Sequence, residues 1–329
     1  MKIILDVMGS DNGPEELIKG AVKASKKCGA EILYVGQADL IRSISSKNNF
    51  EIPENNIFDA REIITMDSDP FEIRSLKNSS MRVALEMLSR GEGDALVSCG
   101  NTGALHTGAT LYVRRIRGIH RAAISAVLPM QTPLLLLDAG ANLTVTPEQL
   151  VQFGVMGSIY MKKVFGLESP RVGLLNNGAE ESKGNTLYIE THQLLKKCES
   201  INFVGNIEGK DIPFSKCDVL ICDGFTGNIA LKTVEGMGKF ISFNLKHIFS
   251  SVIGKLAGLL VYKKISAFKE AMTPSNHGGA PLLGISKPVV KSHGSSKSKD
   301  IYNAICKAND FAKAGVVQEI AEYCNSNRV

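Results

Sequence analysis

The amino-acid sequence predicts an α/β fold of three layers, in which helices cover both faces of a largely parallel sheet. Short runs rich in Ile, Leu and Val recur along the chain, and each stops at a polar or glycine-rich loop that a helix-like stretch follows. Hydrophobic residues make up 44% of the 329 residues, which is enough for a sizeable core. The predicted strands are Ile3–Val7, Ile32–Val35, Ala95–Ser98, Ile124–Leu128, Leu134–Leu137, Arg171–Leu175, Val219–Cys222 and Pro288–Val290.

Helices are predicted between these strands from their length and from residues typical of helix ends. Thr146 and Pro147 form an N-cap followed by proline at the first helical position. Gly29 and Gly166 stand where helices are expected to stop. The predicted helices are Pro14–Cys28, Ser79–Arg90, Pro147–Phe165, Glu181–Lys197 and Lys299–Cys324.

Charge and hydropathy exclude several classes of protein. The 38 basic and 33 acidic side chains give a net charge of +5, too small for a dedicated nucleic-acid binder. The first five residues form a short apolar run with one Lys, and Asp6 ends it. This run lacks the apolar length and the small-residue cleavage site of a secretory leader, so we expect a cytoplasmic protein. The longest apolar stretch, 122–137, contains Pro129 and Pro133 and is too short to span a membrane.

The cysteines point to neither a disulfide framework nor a zinc site, because their number is odd and no C-x-x-C pair occurs. We expect reduced and mostly buried thiols. The seven residues are Cys28, Cys99, Cys198, Cys217, Cys222, Cys306 and Cys324.

Six polar loops follow predicted strands, and in each of them Asp or Asn stands beside Gly. Ligands of open α/β sheets bind beyond the carboxyl ends of strands, so we expect these loops to meet at one edge. For a single loop, ordinary turn chemistry is the alternative. The loops are Asp6–Asp11, Ser98–Gly103, Asp138–Asn142, Asn176–Gly184, Gly205–Gly209 and Asp223–Asn228.

The chemistry of these loops suits a small oxyanion such as phosphate. The sequence contains no G-x-x-x-x-G-K-[ST], no G-x-G-x-x-G after the first strand, no H-E-x-x-H and no G-x-S-x-G. What remains is backbone amides at helix starts, the ammonium of Lys183, and side-chain donors on Thr102, Ser182 and Asn228. For Lys183 the alternative is a salt bridge to Glu180 or Glu181, and for Asn228 it is a helix N-cap.

Seven segments in order along the chain resemble the phosphate acyltransferase family of bacterial phospholipid synthesis. Each is weakly specific alone, but the ordered set is highly specific. The segments are Asp6–Glu15, Val97–Ala104, Leu137–Asn142, Gly173–Gly184, Phe203–Gly209, Asp223–Lys232 and Gly278–Gly284.

The resemblance implies transfer of a fatty acyl group from acyl carrier protein to inorganic phosphate. The acyl-phosphate product would supply a downstream membrane glycerol-3-phosphate acyltransferase. The resemblance also implies a homodimer whose fold is similar to that of isopropylmalate dehydrogenases and phosphotransacetylases. We expect the protein to use no cofactor or metal and to bind no nucleic acid. The chain is expected to form one family unit over 1–329, divided into a discontinuous lobe of 1–95 with 272–329 and a middle lobe of 96–271.

Site residues follow from the matching segments and the glycine-rich loops. His277 and His293 lie near such loops, where a simple turn hydrogen bond is the commoner role and donation to an oxyanion or transfer of a proton is the functional alternative. The predicted catalytic residues are Lys183, Asn228, Thr102 and His277. The predicted substrate-binding residues are Asp6, Gly9, Asn101, Gly103, Asn142, Asn176, Gly184, Asp223, Gly227 and His293.

The chain departs from the family pattern at three places. The first motif has Ser10 and Asn12 where a glycine and a histidine are usual, Cys99 replaces a small apolar residue, and Gly284–Pro288 lacks a glycine. Cys99 is a candidate covalent nucleophile, but direct attack by phosphate makes that step unnecessary.

Two basic segments have several interpretations. The arginines at 114, 115, 117 and 121 suit phosphate, carrier protein, or a solvated or dimer-bridging face. Residues 239–269 contain six Lys and no acid, which predicts an amphipathic helical hairpin over 239–270 for an anionic membrane, for the carrier protein, or for dimerisation. The predicted membrane or carrier contacts are Lys246, Lys255, Leu256, Leu259, Leu260 and Lys263.

Two other functions compete with acyl transfer to phosphate. One is an NAD-dependent decarboxylating dehydrogenase on the related fold, which needs clustered aspartates that Asp218 and Asp223 alone do not supply. The other is a membrane-associated scaffold, which leaves the six polar loops without a purpose.

Overall fold

One mixed sheet runs through the computed structural model, which describes residues 1–249 and 278–326. Within these residues the sheet has 11 strands. In chain order they are β1 (Lys2–Asp6), β2 (Glu31–Gly36), β3 (Ile57–Asp59), β4 (Ala95–Ser98), β5 (Ala123–Pro129), β6 (Pro133–Leu137), β7 (Arg171–Asn176), β8 (Asn202–Glu208), β9 (Val219–Ile221), β10 (Ala280–Leu283) and β11 (Val289–Lys291). Their spatial order is β3-β2-β1-β4-β11-β10-β5-β6-β9-β7-β8.

The sheet reverses direction in its middle. Strands β1, β2, β3, β4 and β11 are mutually parallel. Strand β10 is antiparallel to both β11 and β5, and β5 forms an antiparallel hairpin with β6. Strands β6, β9, β7 and β8 are parallel to one another. As a result, the carboxyl ends of β1 and β4 lie at one edge of the sheet and those of β6 to β9 at the opposite edge.

Helices cover both faces of this sheet. They are α1 (Pro14–Cys28), α2 (Ala38–Lys47), α3 (Ser80–Ser89), α4 (Thr102–Gly108), α5 (Pro147–Phe165), α6 (Thr186–Lys196), α7 (Gly224–Ile248), α8 (Ser298–Lys313) and α9 (Val316–Ser326). Two predicted helix signals are confirmed: Thr146 forms a capping box with Gln149, and Gly29 and Gly166 end α1 and α5 in the left-handed conformation.

The hydrophobic core is divided in two by the sheet, because alternate side chains of a strand point to opposite faces. Ile3 and Leu5 of β1 pack into the core beneath α1, α5 and α8, whereas Ile4 packs into the core beneath α3 and α4. The predicted three-layer α/β fold with a mostly parallel sheet is therefore confirmed.

Several predicted element bounds are wrong. The segment Gly205–Gly209, expected as a loop, lies mostly inside β8, where the β7–β8 ladder is irregular and Gly205 has φ 92°. The helix expected from Glu181 begins only at Thr186. The single C-terminal helix predicted over Lys299–Cys324 is in fact two helices, because Gly315, with φ 70°, separates α8 from α9. Strands β3 and β10 were not predicted because each is very short and has no alternating pattern.

The expectation of seven reduced cysteines is wrong for one pair. Cys28 at the end of α1 and Cys306 in α8 form a disulfide, with Cα atoms 5.8 Å apart. Sequence spacing gave no signal of it, because 278 residues separate the two positions. The other five thiols are free, and Cys99, Cys217 and Cys222 are buried.

Several predicted residues lie outside the described residues. They are His277 and, from the predicted hairpin, Lys255, Leu256, Leu259, Leu260 and Lys263. Lys246 lies on α7. Among residues 1–249 and 278–326, no helix combines the length and the apolar character needed to cross a membrane.

Candidate functional site

The polar loops form two clusters rather than one. The β1–β4 cluster contains the loops after β1 and β4 and the turn after β11, residues 6–12, 98–103 and 291–296. The β6–β9 cluster contains the loops after β6, β7 and β9, residues 138–142, 176–184 and 223–228. The expectation that all six loops share one edge of the sheet is wrong, because the antiparallel strands β10 and β6 reverse the chain direction between them.

Asp6 is the centre of the β1–β4 cluster and is only 1% exposed. Its Oδ1 accepts hydrogen bonds from Ser80 Oγ at 2.7 Å and the Met8 amide at 3.2 Å, and its Oδ2 accepts one from Ser98 Oγ at 2.7 Å. Burial raises the pKa of this carboxyl, although the three donors act in the opposite direction. Asp6 therefore holds the ends of β1 and β4 together.

Lys291 at the end of β11 is a buried cation that sequence reasoning missed. The residue is 8% exposed, and its Nζ donates to the Cys99 carbonyl at 3.1 Å and to the Ser292 carbonyl. No carboxylate lies within 4.0 Å of this ammonium in the described part of the chain. The available signal was its position, one residue beyond the apolar run predicted as the last strand.

Ser10 and Asn12, two of the departures from the family pattern, join the loop after β1 to the turn after β11. Ser10 Oγ donates to the Gly294 carbonyl at 3.0 Å, and Asn12 Nδ2 donates to the Ser295 carbonyl at 2.7 Å. His293 is exposed, and its Nδ1 accepts a hydrogen bond from the Ser295 amide at 3.2 Å. Because Nδ1 accepts there, the ring proton of neutral His293 is on Nε2.

Asn101 caps α4 with its whole side chain. Its Oδ1 accepts from the Ala104 amide at 3.0 Å, while its Nδ2 donates to the carbonyls of Met66 and Ser68 at 2.9 and 3.0 Å. These contacts occupy the amide within the protein. The neighbouring Thr102, by contrast, is exposed at the first position of α4.

Asp138 organises the β6–β9 cluster. Its buried carboxylate accepts from the backbone amides of Ile124, Gly140 and Ala141 at 3.0–3.1 Å. It also accepts from the amide and the side chain of Asn142 at 2.7 and 2.8 Å. Burial raises the pKa of Asp138, while these donors counteract that rise. The five hydrogen bonds fix the loop 138–142.

Close backbone contact places the first turn of α7 against this loop. A Cβ atom at Gly227 would stand 1.9 Å from the Asp138 carbonyl oxygen, so only glycine fits there. Asn228 is exposed, and its side chain lies beside Gly140. Three predicted site residues, Asn142, Gly227 and Asn228, are thus brought together.

Tyr188 and Asp223 connect the first turns of α6 and α7. Tyr188 OH donates to Asp223 Oδ2 at 2.5 Å, and the Thr226 amide donates to Asp223 Oδ1 at 2.9 Å. Although burial acts to raise the pKa of Asp223, the hydrogen bonds from Tyr188 and Thr226 bring it below its ordinary value. Burial raises the pKa of Tyr188. Sequence reasoning missed Tyr188, which is 35 residues from its partner.

Lys183 lies in the loop that leads into α6. Asn176 Nδ2 donates to the Lys183 carbonyl at 3.0 Å, and the Lys183 amide donates to the Glu180 carbonyl at 3.0 Å. The side chain of Lys183 is exposed. The salt bridge considered as its alternative is not present among the described residues, where Glu181 pairs with Lys196 at 2.7 Å instead. The backbone of Lys183 is therefore fixed while its ammonium faces solvent.

Helix α4 lies between the two clusters. It has seven residues and is about 10 Å long, beginning at Asn101 in the β1–β4 cluster. At its other end His106 Nε2 donates to the Ala122 carbonyl at 3.1 Å. The same oxygen accepts from Asn142 Nδ2 of the β6–β9 cluster at 2.7 Å. The two clusters are therefore neighbours joined through one helix.

The arrangement suits an anion more than a cation. The N-termini of α6 and α7 meet in the β6–β9 cluster and present amides and a positive dipole end. Lys183 and Asn228 add exposed donors beside them. Among the described residues no group of three or more His, Cys, Asp or Glu side chains is placed to hold a metal ion.

Two of the solved structures that match this chain show the same fold. A phosphotransacetylase from Streptococcus pyogenes matches with a TM-score of 0.62 and 17% identity, covering 95% of this chain and 94% of that one. A branched-chain phosphotransacylase from Enterococcus faecalis matches with a TM-score of 0.55 and 15% identity, covering 94% and 99%. The fold class is thus the one that phosphotransacetylases adopt.

Sequence relatives define the family. A family model described as fatty acid synthesis protein matches residues 1–319. The phosphate acyltransferase of Thermoanaerobacter pseudethanolicus is 43% identical over 99% of this chain and 98% of its own length. That of Acetivibrio thermocellus is 42% identical over 98% and 96%. The chain therefore belongs to the phosphate acyltransferase family, as the seven segments predicted.

The buried ammonium of Lys291 generates a prediction about stability. Burial lowers its pKa in the folded chain below the ordinary value of 10.5. Between the two pKa values the unfolded chain binds more protons, so folding becomes more favourable as pH rises. We expect the free energy of unfolding of the wild type, minus that of Lys291→Met, to increase as pH rises toward the ordinary lysine pKa of 10.5. Urea unfolding of both chains measures this difference, and a constant or falling difference would contradict the assignment.

Proposed function

We propose that the protein transfers a fatty acyl group from acyl carrier protein to inorganic phosphate and releases acyl-phosphate. The observation that carries the proposal is the β6–β9 cluster, where Tyr188 and Asp223 join the N-termini of α6 and α7. Exposed Lys183 precedes α6, and exposed Asn228 lies in the first turns of α7. Family membership supports transfer of an acyl group to phosphate. The carrier-bound thioester as donor is our extension of it.

The chemistry is compatible with the residues present. A phosphate oxygen attacks the thioester carbonyl carbon, the tetrahedral oxyanion collapses, the carbon–sulfur bond breaks, and the carrier leaves as a thiolate. Phosphate is already anionic near neutral pH and the thiol has an ordinary pKa of about 8.5, so neither step needs a strong base or acid. The protein's task is to position the reactants and to stabilise the oxyanion.

Each exposed donor has a place in this scheme. Lys183 would hold the phosphate through a charge-assisted hydrogen bond. The Asn228 amide and the first backbone amides of α7 would donate to the oxyanion. Asp138 and Tyr188 touch neither reactant in this scheme, and they act by fixing the loop and the two helix ends.

A direct test incubates the purified protein with long-chain acyl-acyl carrier protein and phosphate and measures release of the free carrier thiol. The proposal requires release that depends on phosphate and yields one acyl-phosphate for each thiol. If thiol is released equally without phosphate, or is not released at all, the proposed acyl transfer to phosphate is wrong.

Lys183 is expected to be essential for turnover. Replacing it with alanine removes a charged contact to the phosphate, a loss of a few kcal/mol that corresponds to roughly a hundredfold in kcat/KM for phosphate. The matched control is Lys197→Ala, which removes an exposed lysine just beyond the far end of α6. Steady-state kinetics with varied phosphate measures both variants. If Lys183→Ala and Lys197→Ala have the same kcat/KM for phosphate, Lys183 is not a phosphate ligand.

Cys99 is not expected to carry the acyl group. The thiol is fully buried, and burial raises its pKa to about 12, so it is not ionised near neutral pH. Cys99→Ser should keep most of the activity, and the wild type should form no acyl-enzyme when phosphate is withheld. Intact-mass measurement after incubation with the acyl donor tests this, and a stable acyl adduct on Cys99 would reverse the conclusion.

We also propose that the enzyme acts at an anionic membrane, where an amphipathic product is needed. Helix α7 supports this, because six large apolar side chains on it are exposed in the single chain: Phe225, Ile229, Met237, Phe240, Phe243 and Ile248. The exposed Lys232, Lys239 and Lys246 border this apolar surface, since Lys239 and Lys246 are four residues before and three after Phe243 on the helix. Each basic residue near an anionic surface contributes about 1 kcal/mol, which falls with salt.

Phe240→Ser with Phe243→Ser should therefore reduce co-sedimentation with anionic vesicles. Phe214→Ser, which changes an exposed phenylalanine on another element, serves as the control. Sedimentation velocity run in parallel reports the oligomeric state. If the double variant becomes monomeric and binds vesicles like the wild type, α7 is a dimer interface and the membrane proposal fails.

A further inference from the structure

The loop between α4 and β5 carries a dense group of positive charges. The segment is Arg114-Arg115-Ile116-Arg117-Gly118-Ile119-His120-Arg121, here called the arginine loop. All four arginines and His120 are exposed, whereas the two isoleucines are buried at 5% and 6% exposure. The isoleucines therefore anchor the segment, and the arginines face solvent together.

The backbone of the arginine loop is held by the rest of the protein. The Ile116 amide donates to the Gly284 carbonyl at 2.9 Å. Gln152 of α5 donates to the Gly118 carbonyl at 2.8 Å and accepts from the His120 amide at 2.9 Å. Arg115 also donates to the His120 carbonyl. The charges are thus displayed from a fixed frame, which lowers the entropy cost of binding a partner.

The arginines of the loop lack the carboxylate partner that five other arginines in the described part of the chain have. Five arginines elsewhere pair with a carboxylate within 4.0 Å: Arg42, Arg61, Arg82, Arg90 and Arg171. None of the four in the loop has such a pair in the described part of the chain. One acid, Glu148, is within electrostatic reach of His120. The loop is therefore a surface with four uncompensated guanidinium groups.

The arginine loop is directly connected to the β6–β9 cluster. Arg121 precedes Ala122, whose carbonyl accepts hydrogen bonds from both Asn142 and His106. A partner bound to the arginines would therefore lie beside Asn142, and through it beside Gly140 and Asn228. This is the position that a macromolecular donor must take if its reactive group is to enter the cluster.

We infer that the arginine loop is the docking surface for an acidic carrier protein that delivers the acyl thioester, an inference that rests on the proposed function. Four exposed arginines on one fixed loop can meet several carboxylates at once, which suits an extended acidic surface better than a single phosphate. A surface of one charge also raises the rate of association with an oppositely charged protein, and salt weakens this effect.

The test uses purified holo-acyl carrier protein and measures its Kd by calorimetry at low and high salt. Arg117→Gln with Arg121→Gln removes two charges from side chains with no ion pair in the described residues. The matched control, Lys26→Gln with Lys27→Gln, removes two exposed charges near the end of α1. We expect at least tenfold weaker binding and a smaller salt dependence for the arginine double variant, and wild-type binding for the lysine double variant.

A conservative pair shows whether charge is the cause. Arg117→Lys with Arg121→Lys should recover most of the affinity, and thermal unfolding verifies that every variant is folded. Binding within twofold of the wild type for the Gln double variant would overturn the inference. So would equal weakening in both double variants, or a wild type that does not bind the carrier.

Kinetics separate this inference from the proposed function. If the wild type binds the carrier through the loop but releases no thiol with phosphate, the proposed function fails and the surface stands. If the wild type transfers the acyl group, the Gln double variant should raise KM for the acyl carrier at least tenfold and change kcat little. A rise in KM for phosphate alone would assign the loop to phosphate and contradict the inference.

Discussion

The buried carboxylate of Asp138 is the interaction on which the candidate site depends. A carboxylate without partners in the protein interior is destabilised by several kcal/mol, and here five N–H donors offset that cost. Four of those donors belong to the turn 140–142 itself, and three of them are backbone amides, so satisfying the charge also defines the backbone of the loop. Gly227 of α7 then contacts the Asp138 carbonyl, and Asn142 reaches Ala122. One satisfied charge thus positions a loop, a helix start and the end of the arginine loop.

The reversal of the sheet explains why there are two clusters. In a fully parallel sheet, all carboxyl ends would meet at one edge, and the six loops would form a single ring. The antiparallel strands β10 and β6 place the loops after β6, β7 and β9 at the opposite edge. The short helix α4 brings the clusters into contact again, because it begins in one and its last turn shares the Ala122 carbonyl with the other. The separation leaves Asp6 and Lys291 as supports of the strand ends, while Lys183 and Asn228 face solvent.

Local signals predicted most elements, and non-local pairing decided the rest. Strands such as β4 and helices such as α1 and α5 have compact apolar runs or definite end signals, and their bounds match the structure closely. Strand β8 was read as a loop because Gly205 and Asn206 are turn residues, and only its pairing with β7 makes it a strand. Lys183, Asn142, Gly227 and Asn228 are candidates from the sequence because they stand in glycine-rich loops. Tyr188, His106 and Lys291 were missed because each acts through a partner far away in sequence.

The distribution of charge follows a physical division between groups that hold the structure and groups left for ligands. The buried charges Asp6, Asp138 and Lys291 have their hydrogen-bonding capacity engaged by the protein, so a ligand would have to displace existing bonds to use them. Lys183 and the arginine loop are exposed, so keeping them charged costs little before a ligand arrives. Binding an anion there removes water from both partners, and the interaction strengthens as the local dielectric falls. Recognition by exposed cations and stabilisation by buried carboxylates are therefore complementary, since the rigid loops supply the position and the solvent-facing cations supply the attraction.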